Sequence, residues 1–184
     1  MSAVGMMRSD HLMAENKIEE FLSQMLQKSS RLSIYARPSI ELDILFEPDY
    51  PHAPGQPTCA KCNPAKAVTR PPRASDLPEI HYGLIASGDR VVKSATKRDL
   101  AVQALGDILC FEMEAAGIAT EFSCIAIRGI SDYADSHKND GWHRYAAAAA
   151  AACVKELLSY LDPEKPSPGI APPLPSGRTD KTAN

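Results

Sequence analysis

The chain has 184 residues, 44% hydrophobic and 23% charged, with a formal net charge of -3; these values suit one globular domain with extensions. The slightly negative balance gives no electrostatic reason to expect nucleic acid or an anionic membrane as a partner, and no run approaches the roughly 20 apolar residues of a membrane span. Five cysteines, an odd number with no apolar secretory leader ahead of them, point to reduced thiols in the cytosol or nucleus, and a cytoplasmic location is expected.

Residues 1–11 read as a flexible start, with the folded portion expected over 12–161. Leu12, Ile18, Phe21, Leu22, Met25 and Leu26 recur at helical spacing, with Glu15, Glu19, Glu20 and Lys28 between them. This predicts an amphipathic helix of about four turns ending near Ser29 and Ser30. Nine prolines from Pro38 to Pro78 then exclude long regular structure, although Leu42, Ile44, Leu45 and Phe46 could still pack as a short segment. An irregular stretch as long as 47–79 usually serves as a functional loop, a lid or a linker.

That stretch carries Cys59 and Cys62 in Cys-x-x-Cys spacing, with His52 seven residues ahead. A zinc site needs about four ligands, and no second pair is evident in the sequence. His52 and His81 complete the set only if the loop folds back. A redox pair belongs at a helix start beside a strand, whereas Pro57 and Pro64 flank this one. Two thiols packing a surface loop is therefore the plainer expectation, and zinc at Cys59 and Cys62 the minority one.

Ile80, Tyr82, Leu84 and Ala86 alternate with His81, Gly83, Ile85 and Ser87, the pattern of a strand with a buried face. Ser87-Gly88-Asp89 turns the chain. Ser94 caps a predicted helix to about Leu105, Gly106-Asp107 stops it, and Ile108 to Phe111 is a second strand. Met113 to Ala119 holds helix formers, and the apolar run Ser123 to Ile130 reads as a further strand. After a polar loop, a helix is expected from Trp142 to about Leu161, where seven alanines, Ala146 to Ala152, allow close packing against a sheet. Residues 162–184 carry six prolines among Ser, Gly, Lys and Thr, the composition of a disordered tail.

In an open α/β sheet, ligands sit outside the carboxyl ends of the strands. Glu112 and Glu114 follow one predicted strand and Asp132 follows the next, so adjacent strand tips would present carboxylates to one crevice. Two such groups can divide labour, one staying ionised while the other holds a proton, as cleavage of a glycosidic bond requires. When the leaving group is a nucleobase, protonating a ring nitrogen eases its departure. An anion beside the ribose can hold the hydroxyls and stabilise the cation. Spacing alone equally admits a structural role for these carboxylates.

Glu112-Met113-Glu114-Ala115 and Arg128-Gly129-Ile130-Ser131-Asp132-Tyr133-Ala134-Asp135 together resemble the purine nucleoside phosphorylase and methylthioadenosine nucleosidase superfamily. Ile85 to Asp89 resembles that family's strand and turn before the base-binding residues. Asp43 to Phe46, Cys59 to Cys62, Ile80 to Gly83, Arg98-Asp99 and Asp135 to Asn139, with Trp142, Tyr145 and the alanine run, are closer still to the phosphorylase domains of fungal proteins, often joined there to ATPase and repeat modules. The resemblance covers about residues 12–161. It implies an α/β fold: part of a three-layer phosphorylase-type domain, a mixed sheet flanked by helices, with a Pro-rich irregular insert. The family's first strands, which bring a Gly-rich phosphate turn or the carboxylate that activates water, have no counterpart ahead of Leu12.

By this resemblance Asp132 donates the proton to the purine and Ser131 positions it. Glu114 binds the ribose hydroxyls, Met113 packs against the sugar, and Val91 and Val92 contact the base through their backbone. Bacterial nucleosidases carry Phe at the first of those two positions. Arg128 is expected to hold the strand end through an ion pair with Glu112, and His137 and His143 to lie at the surface. No cofactor is implied, with phosphate as co-substrate if the chain is a phosphorylase. The expected partner is a small-molecule nucleoside. An open sheet edge adds a homo-oligomer or a completing subunit. Two functions follow: cleavage of the N-glycosidic bond of purine nucleosides or nucleotides by general-acid protonation of the base, or a catalytically inactive nucleoside-binding or oligomerisation module.

Overall fold

A buried carboxylate organises the helical side of the computed structural model, which describes residues 2–14, 16–138 and 140–161; the tail expected over 162–184 lies outside them. Glu156 is 1% exposed, and a charge so buried needs partners. Its Oε1 accepts from His11 Nε2 at 3.0 Å and its Oε2 from the Lys17 backbone N–H at 3.1 Å. With Nε2 donating, His11 Nδ1 is free to accept from the Tyr82 hydroxyl at 2.8 Å.

These bonds account for a difference from the sequence reading of residues 1–11. Instead of a flexible start, helix α1 spans Ala3–Asp10, with Ser2 capping the Gly5 N–H and Met7 buried. Helix α2, Ile18–Gln27, begins later than predicted. Leu12 is 82% exposed and outside the apolar stripe, because the chain turns at His11 and Lys17 to reach Glu156. Helix α5, His143–Leu158, packs its alanine face on α1 and α2. Met7, Ile18, Leu22, Ala148, Ala152 and Cys153 form the core there. The alanines thus serve helix-on-helix packing, not the sheet contact expected.

Strand β1, Leu84–Ser87, and strand β2, Ile108–Glu112, pair in parallel, with Ala86 opposite Phe111 and Ser87 opposite Glu112. The crossover between them is α3, Ala95–Leu105, a helix with both ends set by local chemistry. Ser94 Oγ accepts from the Lys97 N–H, and Gly106 takes a positive φ of 91° to close the C-terminus. Of the mixed sheet expected, the described residues form these two parallel strands. β1 starts at Leu84; Ile80 and Tyr82 pack instead against the helical core.

The run Ser123 to Ile130 is not a strand. It passes along α5, so close that a side chain at Gly129 would collide with the Ala146 carbonyl, and Ile127 packs on the helical core. Apolar content suits a strand and a segment laid on a helix equally well, and here the helix takes it. Helix α4, Ala115–Ala119, is shorter than the Met113 to Ala119 stretch predicted. Among the described residues no helix is long and apolar enough to cross a membrane.

Candidate functional site

The loop 131–138 is held by three segments that are distant in sequence, 43–52, Arg70 and Arg98. Within it, Asp132 Oδ1 accepts from the Ala134 N–H at 2.8 Å and Oδ2 from Lys138 Nζ at 2.8 Å. Ala134 has φ 53°, a left-handed conformation that a residue with a Cβ adopts only under constraint. The Asp132 bond supplies part of that constraint. Arg98 supplies more, donating to the Tyr133 carbonyl at 2.9 Å while its Nε pairs with Asp99 at 2.8 Å. Thus the Arg98-Asp99 pair near the start of α3 positions the loop.

From the other side comes the Pro-rich insert. Tyr133 donates its hydroxyl to Asp43 Oδ1 at 2.5 Å, and Arg70 donates to both Tyr133 and the Asp43 carbonyl. Burial, then the Asp43 hydrogen bond, push the Tyr133 phenol up to about 12. Further along, Phe46 stacks on His137 with ring centroids 4.2 Å apart, and Tyr50 stacks at 5.5 Å. Ser136 Oγ accepts from the His52 N–H at 3.0 Å. His137 is therefore buried, which corrects its expected surface placement: two aromatic rings of the insert cover it. His143 stays half exposed, 3.7 Å from Asp140.

The carboxylates divide differently from the sequence reading. Glu112 is the structural one. It accepts from the Glu114 and Ala115 N–H groups, each at 2.8 Å, and so caps the start of α4. The Ser87 hydroxyl beside it and these two N–H groups hold its carboxyl down at about 2. Arg128 pairs with Glu114 at 3.3 Å, not with Glu112, whose Oε2 takes both N–H groups of the helix start while its Oε1 is buried without a hydrogen-bond partner. Asp132 does not follow a strand, since Ser123 to Ile130 forms none. Burial works to raise its pKa, but the Lys138 and Ala134 hydrogen bonds outweigh that and leave the carboxyl below its ordinary value. It is ionised and clamped in this state.

A cavity of about 480 Å³ brings Val91, Val92, Met113, Ser131 and Asp132 to one wall system, with Lys138 beside them. Glu114 is absent from its lining and reaches it through Arg128, which does line it. An adjoining apolar cavity of about 820 Å³ lies between α1, α5 and residues 76–85, and shares Asp132 with the smaller one. Lys138, Asp43, Arg70 and Tyr133 were not predicted as site residues. Lys138 could have been suspected from the polar loop it shares with Asp132, and Asp43 from the Asp43 to Phe46 motif.

The phosphorylase superfamily model matches residues 20–159. The chain belongs to the phosphorylase superfamily. A nucleotide-binding leucine-rich repeat (NLR)-like protein of Hyaloscypha variabilis is 45% identical over 116 residues, which are 62% of this chain and 12% of that protein. This phosphorylase-superfamily chain thus spans a small part of that relative's length. No solved structure matches it. The small parallel sheet with its flanking helices is a partial α/β domain of phosphorylase type.

Proposed function

We propose that this phosphorylase-superfamily chain binds a purine nucleoside in the 480 Å³ cavity. The single observation that carries the reading is the convergence of Val91, Val92, Met113, Ser131 and Asp132 on that cavity, which has the size usual for small-molecule sites, about 300–1,000 Å³. An ionised carboxylate only accepts hydrogen bonds. Asp132 therefore favours a base offering an N–H, such as an exocyclic amine. Val91 and Val92 flank the base, Ser131 orients it and Met113 packs on the sugar. Arg128 carries Glu114 toward the ribose hydroxyls. With five cysteines unpaired, the proposal places the protein in the cytoplasm.

A second reading is N-glycosidic cleavage, and the balance at Asp132 favours it. Burial alone raises this carboxyl's pKa, and Lys138 is the first of the groups that lower it. A purine that displaced Lys138 would remove the first of the groups lowering that pKa, which eases uptake of a proton that the carboxyl can pass to a ring nitrogen. The bonding pair then departs with the base, and phosphate or water captures the ribosyl cation.

Thermal shift and free-base assays with adenosine, inosine and methylthioadenosine, with and without phosphate, separate the readings. Saturable stabilisation without free base, weakened by Asp132→Asn, is the result expected. Free base above background, abolished by Asp132→Asn, promotes cleavage, and its dependence on phosphate tells phosphorolysis from hydrolysis. Neither stabilisation nor free base overturns both. The proposal also takes the exposed Leu84, Leu100 and Leu105, beside the open sheet, as the surface a second copy or completing subunit covers. A monomer by light scattering at assay concentration would remove the second copy.

A further inference from the structure

The insert contains a second cluster of chemically capable side chains, away from the cavity. The 3₁₀ turn Cys59–Lys61 is capped by Thr58, and the Cys62 N–H bonds back to the Cys59 carbonyl at 2.9 Å. This tight turn puts both thiols on one side. Residues 45–47 then meet 66–68 through the Phe46–Ala67 bridge, with Val68 N–H to the Leu45 carbonyl at 2.8 Å and Glu47 N–H to the Lys66 carbonyl at 2.9 Å. Folding back in this way returns His52 to the cysteines. One ring nitrogen of His52, Cys59 Sγ and Cys62 Sγ all lie within 4.8 Å of one another. Ligand atoms around a tetrahedral zinc stand about 3.3–3.8 Å apart, so small side-chain rotations close this set on an ion.

His137 supplies an independent observation. Its side chain is 2% exposed, and its Nε2 is buried without a hydrogen-bond partner. A buried polar atom left in that state calls for an occupant. The His137 ring stands edge-on to His52 at 5.4 Å between centroids, while its other nitrogen, Nδ1, faces Ser136 Oγ at 3.5 Å and Asp135 Oδ1 at 4.0 Å. A metal-bound histidine typically offers one nitrogen to the ion and the other to a carboxylate or carbonyl. His52 has the same division, since its Nε2 faces the Thr58 carbonyl at 3.2 Å. A carbonyl only accepts, so that nitrogen carries the proton and Nδ1 keeps the lone pair.

We propose that Cys59, Cys62, His52 and His137 form a structural zinc site that staples the Pro-rich insert to the loop carrying Asp132. Binding releases both thiol protons, so two thiolates neutralise the divalent ion. All four coordination positions are protein side chains, the closed arrangement of a structural rather than a catalytic ion. Of the two histidines considered from sequence, His52 takes part. His81 lines the 820 Å³ cavity instead, and the fourth ligand comes from a loop 75 residues beyond Cys62.

The test is metal analysis of the full chain, expressed with zinc and purified without chelator under reducing conditions, followed by cobalt(II) titration of the metal-free protein. About one zinc ion per chain is expected, together with cobalt absorption bands of tetrahedral geometry and thiolate charge transfer. The double variant Cys59→Ser, Cys62→Ser should lose both signals. His137→Ala should weaken zinc by more than the ~10–100-fold typical of an outer-sphere change, and His137→Cys should restore it, because it returns a ligand. Zinc far below stoichiometry with no tetrahedral cobalt bands overturns the proposal. So does a Cys59–Cys62 disulfide that persists under those reducing conditions, or unchanged affinity in His137→Ala. None of these readouts depends on nucleoside binding.

Discussion

The Pro-rich insert and the sheet side of the molecule are held by different means. Around Phe46 and His137 the chain has little regular structure, yet stacked rings, the Asp43–Tyr133–Arg70 cluster and the His52–Ser136 bond tie segments that lie far apart in sequence. Around β1, β2 and α3 the secondary structure is regular, but Leu84, Leu100, Leu105 and Phe122 stay exposed. Regularity and tertiary anchoring are separate properties. Local capping makes a helix such as α3, whereas burial of rings and charges decides which segments are fastened together.

Mutations that attack the fastened region should show the largest effects. Phe46→Ala, which removes a ring buried to 3% exposure and stacked on His137, should cost about 3 kcal/mol in urea unfolding. Next, Asp43→Asn should cost about 1–2 kcal/mol and bring the Tyr133 phenol down from about 12, read by ultraviolet titration. The sign follows from linkage. A phenol raised in the folded state contributes stability that is complete below its ordinary value of 10 and is lost as pH rises from 10 to about 12. If Asp43→Asn leaves that alkaline loss unchanged, the anchor is elsewhere.

On the sheet side the acid limb is informative. Glu112, held down at about 2 against an ordinary 4.5, contributes stability that is present above 4.5 and fades as pH falls toward 2. Glu112→Gln should flatten that part of the pH–stability curve. Lys138→Met should raise the Asp132 pKa, visible by carboxyl carbon NMR, since Lys138 is the first of the groups lowering it. No change would remove Lys138 as the control on Asp132. Smallest of all, Leu100→Ala on exposed α3 should stay within about 0.5 kcal/mol. That bound holds for the monomer, and a loss that grows with protein concentration is expected where a second copy covers the helix.

Much of the regular structure was legible from neighbours in sequence. Ser94 and Gly106 bracket α3 because a cap acts within a few residues, and β2 and the alanine helix appeared close to where their residues predicted. The run Ser123 to Ile130 misled because an apolar segment reads alike whether it pairs in a sheet or lies on α5. α1 was missed because its stability comes from Met7 burial and from bonds His11 makes to Tyr82 and Glu156, far along the chain. For the candidate site, the sequence reading had named Asp132, Met113, Ser131, Val91 and Val92, and all five line the smaller cavity. Lys138 as the partner of Asp132, and the removal of Glu114 to Arg128, were not.

Residue types and short spacings therefore carried the superfamily resemblance and the ends of α3, and named five of the residues that line the cavity, since each depends on chemistry within a few residues. Packing across 84 to 145 residues, from His52–Ser136 to His11–Glu156, settled that α1 docks on α5 and that the rings of the insert bury His137 away from solvent. Hydrogen bonds, ring stacking and burial act over a few ångströms of space, and nothing in the linear order of a chain says which distant groups will come that close.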